Sequence, residues 1–453
     1  MASVASRLLI KKWNSSIGGR CFTPRFIASN NGKRYSLLGH RCMLPSPCSN
    51  FVKIAAAHCS TNSGEGEGML RQPLSRFSSE QEMLREAVRR YTEDAIAPLV
   101  HKMEEEEVIA PEVIHSLFEQ GFMGIEIPTE MGGSGMSFTD CVIIIEEIAR
   151  VDPSVAAMVD IHNTLINRCF QLYGTEEQKA LYLPKCAQDI VGSFCLSESS
   201  SGSDAFALRA KATQVEGGWK LDGAKQWISS SKEAGVFIIF ATVDPSKKHH
   251  GITAFIVDVG TKGLTIGGKY KKMGIRASST CEVFLENVFV PDSHVLGEIG
   301  LGYKIAIDSL NEGRIGIAAQ MLGLAEGAFS QTLPYLFERK QFGSAIGDFQ
   351  GVRFQIAELA TEIEATRLLV YNAAALKENG YPFTKEAAMA KLVAGRTAEH
   401  VASKCLELFG GYGFTTDYPI EKFFRDSKIG SIYEGTRYLK LQIFSCFIVS
   451  NFQ

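Results

Sequence analysis

The first 64 residues contain no aspartate or glutamate, although Arg7, Lys11, Lys12, Arg20, Arg25, Lys33, Arg34, Arg41 and Lys53 give that stretch nine positive charges. An acid-free leader with Arg, Ser and small apolar residues, and no long uncharged apolar run, has the pattern of an organelle transit peptide rather than a secretory signal. The plainer alternative is a disordered basic arm that binds nucleic acid. Without those nine charges the Lys and Arg total falls from 47 to 38 against 50 Asp and Glu, so the rest of the chain is acidic by 12 charges and repels nucleic acid. Paired cysteine spacing is missing as well: of 11 cysteines, Cys21, Cys42, Cys48 and Cys59 belong to the leader and the remaining seven are scattered. They read as free thiols of a reducing compartment, mostly filling core. No segment reaches the roughly 18 uninterrupted apolar residues that a membrane span needs. No G-x-G-x-x-G, P-loop, H-E-x-x-H or G-x-S-x-G string occurs, so nicotinamide, nucleotide-hydrolase, zincin and serine-hydrolase readings lack their usual signatures.

What is present is length and a change of texture. At 453 residues and 45% hydrophobic, the chain can bury a large core and is longer than one compact unit needs. From about Ser78 to Ile190 apolar residues recur at helical spacing, as in Leu84, Val88, Tyr91 and Ala95. Six glycines and prolines between 121 and 136 mark a connecting loop inside this helical third. From Val191 to about Gly300 short β-branched and aromatic runs (Val236 to Val243, Ile252 to Val257, Val283 to Val290) alternate with turn formers, which predicts an antiparallel β domain with a hairpin at Gly217-Gly218. After Gly302 helical periodicity returns over Ile305 to Leu324, Glu326 to Arg339, Val352 to Asn379 and Lys385 to Phe409. Helices, then strands, then helices, kept apart in sequence, argue for an α+β fold and against alternating βαβ units. The expected division is a leader and linker at 1–64, a helical domain at 75–190, a middle β domain at 191–300, a C-terminal helical bundle at 301–436 and a tail at 437–453.

Four strings carry candidate chemistry. Phe194 to Asp204, FCLSESSSGSD, is an apolar strand opening into a loop of hydroxyls, small residues and two acids that can present N–H and O–H donors to a polar ligand. Trp227-Ile228-Ser229 adds a large aromatic and a hydroxyl, suited to stacking on and hydrogen-bonding a planar ring. Glu407 to Gly413, ELFGGYG, closes a long helix with glycines, and Gly410 fits a C-cap. Ile432 to Thr436, IYEGT, places a lone carboxylate among apolar and aromatic neighbours. Such a group is costly to keep charged, so its pKa should rise toward the range useful to a general base, the alternative being a surface turn acid. His249-His250 beside Lys247 and Lys248 is an imidazole pair without a nearby carboxylate or thiol, so an exposed loop is expected and no metal.

The four strings stand in the order and approximate spacing of the acyl-CoA dehydrogenase family, and the resemblance covers Phe77 to Thr436. Within it, residues 309–325 and 428–436 are similar to the mitochondrial short/branched-chain members, whose substrates include 2-methylbutanoyl-CoA of isoleucine breakdown. The resemblance implies a mitochondrial matrix flavoprotein with FAD, a homotetramer that passes electrons to electron-transfer flavoprotein. It implies that Phe194, Cys195, Leu196, Ser197 and Ser203 with Trp227, Ile228 and Ser229 hold the flavin. Arg339 and Gln350 would reach the FAD of a neighbouring subunit, completed by Glu407, Leu408, Phe409, Gly410, Gly411 and Thr436. Ser203, Tyr303, Asn311, Glu312, Gly313 and Arg314 would line the path of the acyl-CoA, with His249 where the family carries an aromatic. Isovaleryl-type members keep their base on the N-E-G-R helix, where this chain has Gly313, with Glu312 one residue off on another face. Glu434 is then the acid that takes the α-proton as the β-hydride passes to flavin. Two departures stand out. Ser199-Ser200-Ser201 precede Gly-Ser-Asp where relatives carry smaller residues, and RYLKLQIFSCFIVSNFQ follows Thr436 where relatives continue Ser-Asn-Ile-Gln. The tail loses an Asn expected at FAD and is expected to weaken FAD binding or folding. An acyl-CoA oxidase and a catalytically impaired member with an assembly or binding role are the competing readings.

Overall fold

The computed structural model describes residues 77–450; the expected leader at 1–64 lies outside them. The first helices start where the sequence supplies caps. Ser78 and Gln81 form a reciprocal capping box for α1 (Ser79–Tyr91), and two shorter helices follow, α2 (Val100–Glu106) and α3 (Pro111–Glu119). Ser137 and Asp140 form a second box for α4 (Phe138–Ala149). Asp152 accepts from the N–H groups of Ser154 and Val155 to open α5 (Pro153–Asp160), whose first residue is a proline that has no N–H to leave unpaired. A π-helical stretch, Ile161–Asn167, leads to α6 (Arg168–Tyr173), and Thr175 with Gln178 caps α7 (Glu176–Gln188).

Eight strands then form one sheet: β1 (Val191–Cys195), β2 (Lys211–Val215), β3 (Gly218–Ser229), β4 (Ala234–Thr242), β5 (Ile252–Asp258), β6 (Leu264–Lys269), β7 (Thr280–Pro291) and β8 (Val295–Leu296). Their order is β6-β7-β3-β2-β4-β5-β8, with β1 beside β4. The hairpin expected at Gly217 joins β2 to β3, Val215 opposite Gly218, with Gly217 at φ +73°. Most pairings are antiparallel as expected, but β1 runs parallel to β4 from Val191 to Cys195, and Lys211 of β2 pairs in parallel with Thr242. Parallel neighbours need a long crossover, and the whole β2–β3 hairpin supplies one between β1 and β4. The continuous apolar run of β4 follows from this central place. Val236, Ile238 and Phe240 pack toward one hydrophobic cluster with helical partners such as Phe170 and Leu183, while Phe237, Ile239 and Ala241 pack toward a second with Trp219 and Val283. Both faces are buried, so period two is masked.

The second helical part holds α8 (Gly302–Glu338), the short strands β9 (Lys340–Gln341) and β10 (Ser344–Ala345), α9 (Gln350–Glu378), α10 (Thr384–Phe409), α11 (Ile420–Ser427) and α12 (Arg437–Ser450). Sequence periodicity predicts a break near residue 325, whereas α8 is continuous over 37 residues. Its glycines mark close packing. A Cβ on Gly316 would stand 1.8 Å from Asp160 Oδ1, on Gly323 2.0 Å from the Glu146 carbonyl oxygen, and on Gly327 2.2 Å from the Arg150 carbonyl oxygen. These positions share one side of the helix, so α8 lies directly against α4 and α5, and its core is continuous with the N-terminal helices. No helix among the described residues is long and apolar enough to cross a membrane, and the seven described cysteines are free thiols, six buried and Cys446 exposed.

Gly323→Ala tests the contact. Helix propensity alone favours Ala by about 1 kcal/mol, but the methyl meets a fixed backbone carbonyl, and overpacking of that kind costs roughly 1–3 kcal/mol. A net loss of stability is expected in urea unfolding; a gain would show that α4 and α8 separate freely.

Candidate active site

The strings at 194–203 and 227–229 are stitched together at one end of the sheet. The Gln226 N–H donates to the Ser197 carbonyl at 2.9 Å, the Ser193 hydroxyl to the Ser229 carbonyl at 2.8 Å, and Lys225 Nζ to the Leu196 carbonyl at 3.2 Å. Lys225 and Glu198 form a buried ion pair at 2.7 Å. Glu198 also accepts from the Arg209 and Ala210 N–H groups at 2.6 and 3.0 Å, so this acid fastens the loop and is not free for a ligand. Burial pulls the Lys225 pKa down, and the Glu198 charge opposes that shift. Against β7 the register of β3 slips between Lys225 and Ile228. Trp227 sits in that irregularity at φ +62°, a backbone state costly for a bulky residue. The bulge turns its indole out: Trp227 is 57% exposed and its ring centroid lies 4.5 Å from that of Tyr270, whose hydroxyl accepts from Gln226 Nε2 at 2.9 Å. Cys195, Leu196 and Ile228 point into the core, and Phe194 packs on Phe240 at 4.8 Å, which leaves Trp227, Ser197 and Ser229 as the less buried side chains.

Ser203 is exposed on the loop after β1, which the Ser201 hydroxyl braces by donating to the Asp204 carbonyl at 2.7 Å. Three residues on, the Phe206 ring packs tilted against Tyr303 at 4.0 Å, and Tyr303 lies 4.9 Å from His249. His249 and Tyr303 are therefore neighbours, in an aromatic cluster with Phe206, which sequence reasoning passed over; its place in the same loop was the available signal. His249 and His250 stack at 3.9 Å, and no group of three His, Cys, Asp or Glu side chains suited to a metal occurs among the described residues.

Arg339, Leu408, Phe409, Gly410 and Gly411 come together with Tyr335, Gln341 and Ile346 around an open groove of about 460 Å³. Gln350 and Glu407 do not line it; Glu407 is bound to Lys404 at 2.7 Å. Gly410 ends α10 at φ +61° and ψ −135°, a conformation open chiefly to glycine, so it caps the helix without the left-handed ψ the sequence reading implied. Tyr335, where α8 reaches the groove, lies 21 residues beyond Arg314, roughly 31 Å at 1.5 Å per residue.

At the other end of α8 sits Glu434, in the turn between the 3₁₀ segment Lys428–Ser431 and α12. A Cβ on Gly313 would stand 3.4 Å from each Glu434 carboxylate oxygen and 3.0 Å from Leu165, so the glycine lets α8 lie close against the carboxylate. The residue as a whole is partly covered, but its Oε2 is sealed from solvent and without a hydrogen-bond partner. Glu434 and Gly435 are both left-handed, at φ +52° and +86°. Burial raises the Glu434 pKa, and Lys440, Arg314 and Lys391 pull it back down. Lys391 is itself pushed down to about 8 by burial, and Asp160 lies well above the usual carboxylate range because of burial and then the Glu434 charge. Arg314 Nη1 donates to Asn311 Oδ1, and the Tyr433 hydroxyl to Gln320. Glu312 faces elsewhere: its Oε1 pairs with Arg168 at 2.8 Å and its Oε2 lies 3.4 Å from Lys377, because consecutive helix residues point about 100° apart. The Thr436 hydroxyl accepts from the Leu439 N–H at 3.4 Å and so caps α12. Sequence reading did not find Asp160, Lys391 or Lys440; the signal for Lys391 is a lone lysine among the buried alanines 387, 388, 390 and 394.

The chain matches the family models for the acyl-CoA dehydrogenase N-terminal domain over residues 78–189, middle domain over 193–288 and C-terminal domain over 300–445. The probable short/branched chain specific acyl-CoA dehydrogenase of Dictyostelium discoideum is 54% identical over 382 residues, 84% of this chain and 92% of that protein. The mitochondrial short/branched chain specific acyl-CoA dehydrogenase of Rattus norvegicus is 54% identical over 369 residues, 82% of this chain and 85% of that protein. Among solved structures, butyryl-CoA dehydrogenase from Megasphaera elsdenii is 37% identical with a TM-score of 0.81, covering 83% of this chain and 99% of that one. An acyl-CoA dehydrogenase from Bacillus anthracis, complexed with FAD, is 30% identical with a TM-score of 0.78, covering 83% and 67%. Three domain models in succession, on a helical–sheet–helical frame that half-buries Glu434 against Gly313, leave one conclusion: the chain belongs to the acyl-CoA dehydrogenase family and is an oxidoreductase of that kind.

Proposed function

We propose that this enzyme takes short and branched acyl-CoA thioesters, 2-methylbutanoyl-CoA among them, to their trans-2-enoyl-CoA products, with Glu434 as the base that removes the α-proton. The observation that carries the reading is the Glu434 carboxylate, with one oxygen sealed and unpartnered and Gly313 of α8 close against it. A carboxylate in water is far too weak for this proton. Burial makes Glu434 a stronger base, while Lys440, Arg314 and Lys391 keep its ionised form within reach. Leu165, which also closes on Gly313, helps to exclude water, and that strengthens every charge interaction there.

FAD fits the residues at hand. Trp227 is an exposed aromatic on a bulge with Ser197 and Ser229 nearby in the stitched strand ends, and Gly410 and Gly411 present open backbone, with nothing within 4 Å of where a Cβ would stand. Trp227, Ser197 and Ser229 would hold the flavin, and Arg339, Gly410 and Gly411 the cofactor of a neighbouring subunit. Bound FAD supplies the acceptor for the hydride leaving the β-carbon. The distance along α8 from Arg314 to the groove supports a site shared between subunits and so an oligomer, which we take to be the homotetramer of the family resemblance. Electrons would pass to electron-transfer flavoprotein, and the basic leader supports a mitochondrial matrix enzyme of isoleucine and fatty-acid breakdown.

Purified holoenzyme should be yellow and bleach anaerobically with 2-methylbutanoyl-CoA; peroxide formed without an added acceptor would mark an oxidase instead, and a protein that binds FAD but never bleaches would mark an impaired member. Glu434→Gln should keep the flavin spectrum and substrate binding but slow bleaching by about 10²–10⁴-fold. Turnover equal to wild type would remove Glu434 from its role. Because burial holds the folded-state pKa of Glu434 above its ordinary value, the base is lost early on acidification: bleaching should fall as pH drops along a limb lying above the usual carboxylate value of about 4. Stopped-flow rates across pH check this, and a limb at or below that value would contradict a buried base.

A further inference from the structure

The turn that carries Glu434 is held by two buried lysines. Lys391, from α10, donates to the carbonyls of Gly430 at 2.6 Å, Tyr433 at 2.7 Å and Gly435 at 3.3 Å. Lys440, from α12, donates to the carbonyl of Glu434 and, at 2.5 Å, to that of Gly435. Two consecutive left-handed residues turn these carbonyls inward, and for Glu434 that backbone state is strained by roughly 1–3 kcal/mol, so it persists only where neighbours hold it. Lys440 is fully buried, and the space it borders with Lys391 and Arg437 amounts to about 10 Å³, barely one water. Its N–H donors therefore depend on these carbonyls.

We propose that Lys440 is a positioning residue for Glu434, clasping the Glu434 and Gly435 carbonyls so that the turn aims the carboxylate, and adding a third cation to its surroundings. The groups facing Glu434 are Asp160 from α5, Arg314 from α8, Lys391 from α10, Lys440 from α12 and Tyr433 from its own turn. Of the cations, Lys440 is the first to oppose the rise in the Glu434 pKa. Its own pKa is pulled down to about 6 by burial and by the adjacent Lys391 and Arg314, against the Glu434 charge, so Lys440 acts as a cation below that pH, where it opposes protonation of Glu434. The proposal rests on Glu434 being the base.

The test uses the full-length holoenzyme with Lys440→Met, which removes clasp and charge, and Lys440→Gln, which keeps an N–H donor without charge. Measured at equal FAD content are kcat and KM for 2-methylbutanoyl-CoA, the acid limb of kcat, Tm, and calorimetric affinity for an unreactive acyl-CoA thioether. Lys440→Met should lower kcat about tenfold through misplacement of the base, with KM and thioether affinity within about twofold. Lys440→Gln should recover most of that kcat. In both, loss of the cation should move the acid limb up by about one pH unit. A merely structural lysine would lower Tm without moving the limb, and an unmoved limb in either variant that folds overturns the proposal. Glu434→Gln run alongside separates the failures: if that variant turns over normally, the base assignment falls first.

Discussion

A carboxylate kept ionisable against tightly packed helices is the constraint around which this part of the molecule is arranged. An isolated buried charge is so costly that the group would simply neutralise. Here the cost is offset by Arg314 and Lys391, joined on the acid side by Lys440, from three helices, each buried and each with a backbone or side-chain partner. The second acid nearby, Asp160, is pushed toward its neutral form and receives the Thr164 hydroxyl at 3.0 Å. Burial raises both carboxyls; the Glu434 charge adds to the rise at Asp160, whereas Lys440, Arg314 and Lys391 oppose it at Glu434, so the two environments differ.

That electrostatic arrangement requires helices packed closely enough to bring the charges together. The stripe of Gly316, Gly323 and Gly327 lets α8 lie on the backbone of α4 and against α5, and Gly395 and Gly430 do the same where α10 meets the Glu434 turn: a Cβ on Gly395 would stand 2.7 Å from the Gly430 carbonyl oxygen. Dense interiors transmit displacements instead of absorbing them. The sheet acts differently. Its centre is a two-faced core, and its functional feature is an irregularity at one strand end, where a bulge at Trp227 exposes an indole that regular pleating would have buried.

Much of this was legible in the residues. Capping boxes at Ser78, Ser137 and Thr175 announce their helices, the two-residue hairpin at Gly217 follows from its turn chemistry, and the isolation of Glu434 between Tyr433 and Gly435 already argues for a raised pKa. What could not be read depends on contacts between distant segments. Periodicity breaks α8 near residue 325 because glycine normally weakens a helix, yet there it serves a close approach that only the fold reveals. The parallel β1–β4 pairing is set by the hairpin lying between them, not by either strand's composition. Glu198 looks like a ligand-facing acid in a Ser-rich loop until Lys225, 27 residues later, turns out to be its buried partner. Lys440 looks like an ordinary solvated lysine, and the alanines around Lys391 hint at its burial, but nothing local says that four carbonyls are aimed at the pair.

The tail shows the same lesson in the opposite sense. Read along the sequence, RYLKLQIFSCFIVS is hydrophobic without direction. Once Thr436 caps it, helical spacing sorts it: Leu439, Lys440, Ile443 and Phe444 are the covered side chains, while Tyr438, Leu441, Ile448 and Val449 are exposed. Both faces are rich in apolar residues, so periodicity hides an inward face that is nonetheless specific. The family C-terminal model matches through residue 445. Where the tail reaches inward, the Lys440 amino group finds two backbone carbonyls. A buried lysine lacking such acceptors would cost several kcal/mol; with them, the tail is tied to the turn that carries Glu434.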